Sequence, residues 1–431
     1  MKNIFIRYQG KKTPIHLPPN WKLLTFAAFE DHPDIQDVRT LIRQALRDPI
    51  GSRSLKELLS PSDTVAIIIE DQTRSSPKKE VLNALLDLLE EIGIAPANIS
   101  IIIALGTHRM LSAGEMAGIY GNEAMNRYTI VNHDCYANDL VPIGRLRSGS
   151  EVKINRRVYE ASFTIGIGSI FPHPMNGFGG GCKILFPGVA NFHSILEHHL
   201  RHAFRDGSDL GRINGNPFYE EVRALAKAGG LDFIINSVLD HNDRLYDLVC
   251  GDPMKAHMDG IRTCRKIITK DFKKQSDVTI ITAFPYSEGP QIMKPLAPAS
   301  MMTKEGGFMI LCADLSSPIP PIFVKAIEDF RRRYHPYLHR AVFDLFDKNR
   351  RISEEAPPEL NMAMAQLLMA QDRFRVILVT EDMDKETVER LGFAYAKRIE
   401  DAFSIAEAVY AQPEVHVIPA GGVIIPVMDE H

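Results

Sequence analysis

At 431 residues, 45% hydrophobic and 24% charged, the chain can bury a sizeable interior and is too long for one ordinary core, so two domains are expected. A formal charge of −4 excludes a broad nucleic-acid surface, which needs clustered Lys and Arg to displace phosphate counterions. The five scattered cysteines contain no CxxC pair, which excludes a disulfide frame or zinc knuckle and suits reduced thiols in a cytoplasmic protein; no apolar run approaches the roughly 20 residues of a membrane span.

In chain order, MKNIFIRYQGKK alternates apolar and polar residues and turns at Gln9-Gly10, predicting a β-hairpin. Between Ser62 and Gly106 come an apolar strand TVAIIIE, a polar loop DQTRSS, a helix and a second buried strand ISIIIAL, together one βαβ unit of a parallel sheet. Ser76 is the expected N-cap and Pro77 the first helical residue, with Leu82, Leu85, Leu86 and Leu89 on one face. Ser112 and Glu115 have capping-box spacing for a further helix. Strand-like runs recur at FTIGIGSI and FIINSVL. After about Lys266 the polar stretch ITKDFKKQSD predicts a hinge, and VTIITAF, GFMILCA and RVILVTE begin a new α/β series. KDFKK and the Arg331, Arg332 and Arg333 run read as solvated helix faces or hinges.

The expected fold class is therefore α/β: two α/β domains with mainly parallel sheets and an active-site crevice between them. Residues 1–270 form the expected N-terminal cofactor-binding and catalytic domain, with 408–431, whose VHVIPAGGVIIPV reads as two short strands or a strand and turn, as a candidate return to it. Residues 271–407 form the expected C-terminal substrate-capping domain. Ligands in open α/β sheets collect beyond the carboxyl ends of the strands. Arg74, His108 and His173 all follow apolar runs, which predicts that they share one crevice.

Gly179, Gly180 and Gly181 allow close backbone approach and offer amide N–H groups to an anion, with phosphate the natural candidate. The run is not a Walker A loop, because Cys182 precedes Lys183 and Ile184 follows it. Lys183 reads as a charge clamp or a cofactor attachment point. On the next helix His198 and His202 share a face at four-residue spacing while His199 points elsewhere, so spacing alone favours the first two as a metal pair. His108 and His173 lie in loops, and an unperturbed imidazole titrates near neutral pH. Racemising a stereocentre needs a proton-transfer group on each face of the substrate, and two histidines can supply it. Gln291 and Lys294 have the spacing and chemistry to hold a carboxylate, with Arg74 able to add a bidentate contact.

These motifs resemble those of the lactate racemase family, whose members use the nickel-pincer nucleotide. The resemblance rests on the DQTR loop from Asp71 to Arg74, LGTHR around His108, FPHPMNGFGGGCKILFPGVA through Lys183, EHH ending at His199, GPQIMK with Gln291 and Lys294, and GDPMKAH ending at His257. It implies a pyridinium-3-thioamide-5-thiocarboxylic acid mononucleotide joined covalently to Lys183, carrying nickel. It implies His199 as the protein's nickel ligand, His108 and His173 as the catalytic acid/base pair, and Arg74, Gln291 and Lys294 as substrate contacts. Asp71, Thr73 and the three glycines are expected beside the cofactor. The partners implied are a small 2-hydroxy acid and the proteins that build the cofactor, with neither nucleic acid nor membrane.

Three departures bear on the substrate. Pro290 stands where the family commonly has a tyrosine, and Gln72 and Ser75 replace the histidine and proline of DHTRP. They predict a hydroxy acid other than lactate, with a longer or more polar side chain as the candidate. The competing readings are a phosphate- or nucleotide-binding protein without racemase activity, and a hydrolase whose metal is held by the histidine-rich helix.

Overall fold

The computed structural model describes residues 4–32, 37–73 and 76–429. The chain divides into two compact units: Asp31–Ile267 forms the first, and Met1–Glu30 with Ile268–His431 forms the second. Each is an α/β unit built on a mainly parallel six-stranded sheet.

In the first unit the strands run in the order Leu245–Gly251, Phe233–Leu239, Phe163–Ile170, Val65–Glu70, Ile99–Ala104, Thr129–Asn132. Only the first pair is antiparallel; the remaining pairs are parallel. Every residue of Val65–Glu70 is buried, as a central parallel strand covered on both faces requires. The helix Lys78–Ile92 buries Val81, Leu82, Leu85, Leu86 and Leu89 in the same core as Ile67, Ile69 and Ile101. Each such leucine contributes roughly 1.5–3 kcal/mol of burial, so packing rather than capping holds this helix in place.

Its N-terminus differs from expectation. Pro77 occupies the cap position without a side-chain cap, and the Ser76 hydroxyl donates instead to Glu70 Oε1. Glu70 is a buried carboxylate that needs donors, and Ser169 Oγ supplies another at 2.8 Å. Ser112 and Glu115 do form a reciprocal capping box at the next helix.

The second unit's sheet runs Ala394–Ala396, Arg375–Val379, Thr303–Cys312, Ser276–Thr282, Glu414–Ile418, Lys22–Phe26, parallel throughout. The expected hairpin pairs Phe5–Tyr8 with Lys11–Pro14. Its turn places Gln9 and Gly10 at φ of 53° and 67°, the left-handed pair that matches strand twist. Ile6 and Tyr8 join Val278, Ile280 and Val417 in this unit's core.

Here the expected boundaries need correction. Residues 1–30 do not belong with the first unit, because Lys22–Phe26 adds a parallel edge strand beside Glu414–Ile418. Nor do residues 408–431 return to it, since Ile425–Met428 pairs with Thr269–Phe272. The division falls after Ile267. Period-two patterning identifies a strand, whereas its partner is a long-range choice that local pattern does not encode. Among the described residues no helix is long and apolar enough to cross a membrane. The five cysteines are buried free thiols, and burial pushes Cys182 up to about 12.

Candidate active site

Three neighbouring parallel strands of the first unit, Phe163–Ile170, Val65–Glu70 and Ile99–Ala104, end near the residues that sequence reasoning singled out. Chain order reverses between the first two, the switch point at which open α/β sheets leave a crevice beyond their carboxyl ends. Asp71 directly follows one strand, and His108 and His173 lie in the segments after the others.

The carboxylate of Asp71 is buried and fully engaged. Its Oδ1 accepts from the Thr73 amide at 2.9 Å and the Thr73 hydroxyl at 2.6 Å, and its Oδ2 lies 2.6 Å from His108 Nδ1. A carboxylate accepts only, so Nδ1 carries a proton and the neutral imidazole keeps its lone pair on Nε2. The same carboxylate stabilises the imidazolium that forms when Nε2 takes a proton. Asp71 and Thr73, expected beside the cofactor, thus form the support of His108.

His173 is held in the opposite sense. Its Nδ1 accepts from the amides of Met175 at 3.2 Å and Asn176 at 3.1 Å, so the neutral ring carries its proton on Nε2. That atom lies 3.1 Å from Lys183 Nζ. An Nε2–H facing Lys183 Nζ would favour the uncharged, nucleophilic amine over the ammonium form. Lys183 also lies over the Phe218 ring, 5.4 Å from its centroid.

The glycine run serves close packing more than anion binding. The Gly179 amide donates to Phe171 O at 2.8 Å and the Gly181 amide to Asn236 Oδ1 at 2.7 Å, so two of the three N–H groups expected to face a phosphate are committed within the chain. A Cβ on Gly181, whose φ is +56°, would sit 2.4 Å from His257 Nδ1. His257 is itself buried. Its Nε2 donates to Gly179 O at 2.9 Å, Tyr219 Oη lies 3.4 Å from its Nδ1, and burial lowers it to about 4.

On the helix Phe192–His202, His199 Nδ1 donates to Ile195 O at 2.8 Å, which leaves the Nε2 lone pair as the donor atom. Burial first, and then the charge of Lys183 when protonated, push His199 down to about 3; His108 acts on it in the same direction. A neutral imidazole with its other nitrogen tied to a carbonyl is the form that ligates a metal. The residues present therefore fit the implied group: an amine for attachment and an oriented imidazole within electrostatic reach of it. His198 and His202, favoured by spacing, point instead at Glu221, with His202 Nε2 2.8 Å from its Oε2.

In the second unit Gln291 and Lys294 lie on and just after the turn Gly289–Met293. Lys294 Nζ donates to Gln291 Oε1 at 2.7 Å and lies 4.2 Å from the Tyr286 ring centroid. Pro290 is buried in that turn. Arg74 and Ser75 lie outside the described residues.

The family described as the lactate racemase N-terminal domain matches residues 8–211. The lactate racemase of Thermoanaerobacterium thermosaccharolyticum is 28% identical over 394 residues, covering 89% of both chains. That of Lactiplantibacillus plantarum is 28% identical over 396 residues, covering 89% of this chain and 90% of its own. The solved lactate racemase apoprotein from the former organism superposes with a TM-score of 0.88 at 26% identity, over 99% of this chain and 100% of that one. Residues 8–211 match the lactate racemase N-terminal domain, and the whole chain shares the lactate racemase fold. A Thermotoga maritima protein of 17% identity and TM-score 0.68, covering 91% of this chain and 98% of its own, shares the fold.

The lactate racemase-like site has three supports that sequence reasoning missed. The Asp71–His108 pair spans 37 residues, and the contact of His257 with the glycine loop spans 78. Asn236, in the middle of the strand Phe233–Leu239, is a buried polar residue in an apolar run, and that break in pattern was the available signal.

Proposed function

We propose that this chain is a racemase or epimerase that inverts the C2 stereocentre of a small 2-hydroxy acid other than lactate. It would do so with a nickel-pincer nucleotide tethered to Lys183 and ligated by His199. The observation that carries the reading is the paired arrangement of His108 on Asp71 and His173 on Lys183, in one unit of a lactate racemase family fold.

When bound, the group supplies a reversible acceptor for the C2 hydrogen as hydride, so that a planar 2-keto acid links the two stereoisomers. His108 Nε2 takes the hydroxyl proton, and Asp71 stabilises the resulting imidazolium. His173 is assigned to the opposite face of the substrate, where its Nε2–H, once it leaves Lys183, donates a hydrogen bond to the substrate oxygen; acting as a base there also requires release of the Met175 and Asn176 amides from Nδ1. The two histidines are thus unequal partners. Gln291 and Lys294, held together by their mutual hydrogen bond, are the carboxylate contacts, with Arg74 as the third. Pro290 and Gln72, where the family's tyrosine and histidine are absent, support a different hydroxy acid. A non-catalytic phosphate-binding reading is weakened by the committed amides of Gly179 and Gly181.

The test is peptide mass spectrometry and nickel analysis on protein made in cells able to synthesise the cofactor, followed by assay against a panel of 2-hydroxy acids. A modified Lys183, about one nickel per chain and interconversion of an acid other than lactate are expected. An unmodified Lys183 in active enzyme overturns the tether, and lactate as the best substrate overturns the substrate assignment.

A further inference from the structure

The helix Phe192–His202 carries two histidines that the proposed reaction does not use. His198 and His202 stand one turn apart and face Glu221 on the helix Pro217–Ala228. Glu221 Oε2 lies 2.8 Å from His202 Nε2 and 3.8 Å from His198 Nε2. One ligand atom from each of the three side chains falls within 4.8 Å of the others. All three are buried, His198 with no exposure at all.

His198 is the telling residue. Neither of its ring nitrogens meets the distance and angle of a hydrogen bond among the described residues; the Phe218 backbone is near enough to act on the ring but does not make one. The rings of Phe186 and Phe218 meet it edge-to-face at centroid distances of 5.1 Å and 4.3 Å and offer it no acceptor. An unsatisfied buried polar atom is destabilising, and a side chain with two of them calls for a missing partner.

We propose that His198, His202 and Glu221 form a binding site for a divalent transition-metal ion of the zinc class, separate from His199 and from any group on Lys183. Two imidazoles and a carboxylate make a borderline donor set that suits such an ion, with a water as fourth ligand. Tetrahedral bonds near 2.0–2.1 Å place neighbouring ligand atoms about 3.3 Å apart, and the two observed separations straddle that value. The carboxylate is already anchored from outside, because Glu221 Oε1 accepts from the Arg147 amide at 2.6 Å and leaves Oε2 to point at the histidines. The ion ties together two helices, one of which carries His199, and so fixes the position of that residue.

The experiment uses the full chain produced without the nickel cofactor, stripped with a chelator and then given zinc or cobalt(II). One equivalent of metal per chain and the visible absorption of four-coordinate cobalt are expected. His198→Phe and Glu221→Gln should weaken binding at least tenfold, whereas His199→Ala should retain it. X-ray absorption on the zinc-loaded wild type reads the ligands without any substitution, and two imidazoles with oxygen donors are expected. Substoichiometric metal in the wild type, a single imidazole in its ligand shell, or loss of the ion in folded His199→Ala protein each overturns the proposal. In that event the partner of His198 is a buried water.

Discussion

Replacing Asp71 by Asn tests the proposed chemistry most directly, because it alters charge and tautomer while nearly preserving shape. In the native arrangement Oδ1 takes both Thr73 donors and Oδ2 faces His108 Nδ1. An asparagine that keeps its oxygen on Thr73 turns its NH2 toward His108, so Nδ1 must accept and the ring proton moves to Nε2, where the base is needed. The imidazolium also loses its counter-charge. Unit charges about 4 Å apart interact by about 4 kcal/mol at an effective dielectric of 20, equivalent to roughly 10³-fold in rate. His108 is one-third exposed, with 34% of its side chain accessible, so solvent screens part of this and the expected loss in kcat is between about 10² and 10³-fold. The assay follows interconversion by chiral chromatography on protein whose Lys183 modification and nickel content match wild type, with nitrogen NMR reading the His108 tautomer. A kcat within about threefold of wild type at full cofactor loading refutes the role given to Asp71.

His108→Ala and His173→Ala should each abolish interconversion while thermal unfolding stays cooperative; full activity in either variant removes that residue from the mechanism. The fold itself should be acid-labile. His257 is lowered to about 4 against about 6.5 in an unfolded chain, so between those values the unfolded state binds the extra proton and stability falls as pH drops from about 6.5 to about 4. At pH about 4.5 this group alone costs roughly 2–3 kcal/mol, and His257→Gln should flatten the pH dependence of the urea midpoint; an unchanged slope counts against the assignment. Gly181→Ala should lower stability by at least about 2 kcal/mol, because the new Cβ meets His257 at a positive φ, and a wild-type melting temperature in that variant contradicts the packing described.

Much of the fold was legible because its signals are local. The Gln9-Gly10 turn, the leucine face of Lys78–Ile92 and the Ser112–Glu115 box each need only a few consecutive residues to be read. The failures are long-range. Ser76 looked like a cap until the buried Glu70 competed for its hydroxyl, and Lys22–Phe26 could not reveal a partner near the far end of the chain. The candidate site divides the same way. Loop position after apolar runs picked out His108 and His173, but the difference between them depends on Asp71 and on two backbone amides, which spacing does not show. The glycines looked like an anion cradle because sequence shows a missing side chain without showing what fills the space; here His257 and Phe171 do.

The pairing of Lys22–Phe26 with Glu414–Ile418 has a consequence for synthesis. Asp31–Ile267 is one continuous stretch, so all its strands are available once residue 267 has left the ribosome. The other unit cannot complete its sheet at that stage. Its edge strand must wait for a partner 392 residues later, as the Lys22–Glu414 contact measures, with exposed amides and carbonyls meanwhile. Vectorial folding therefore allows the histidine-bearing unit to complete its sheet before the other unit can.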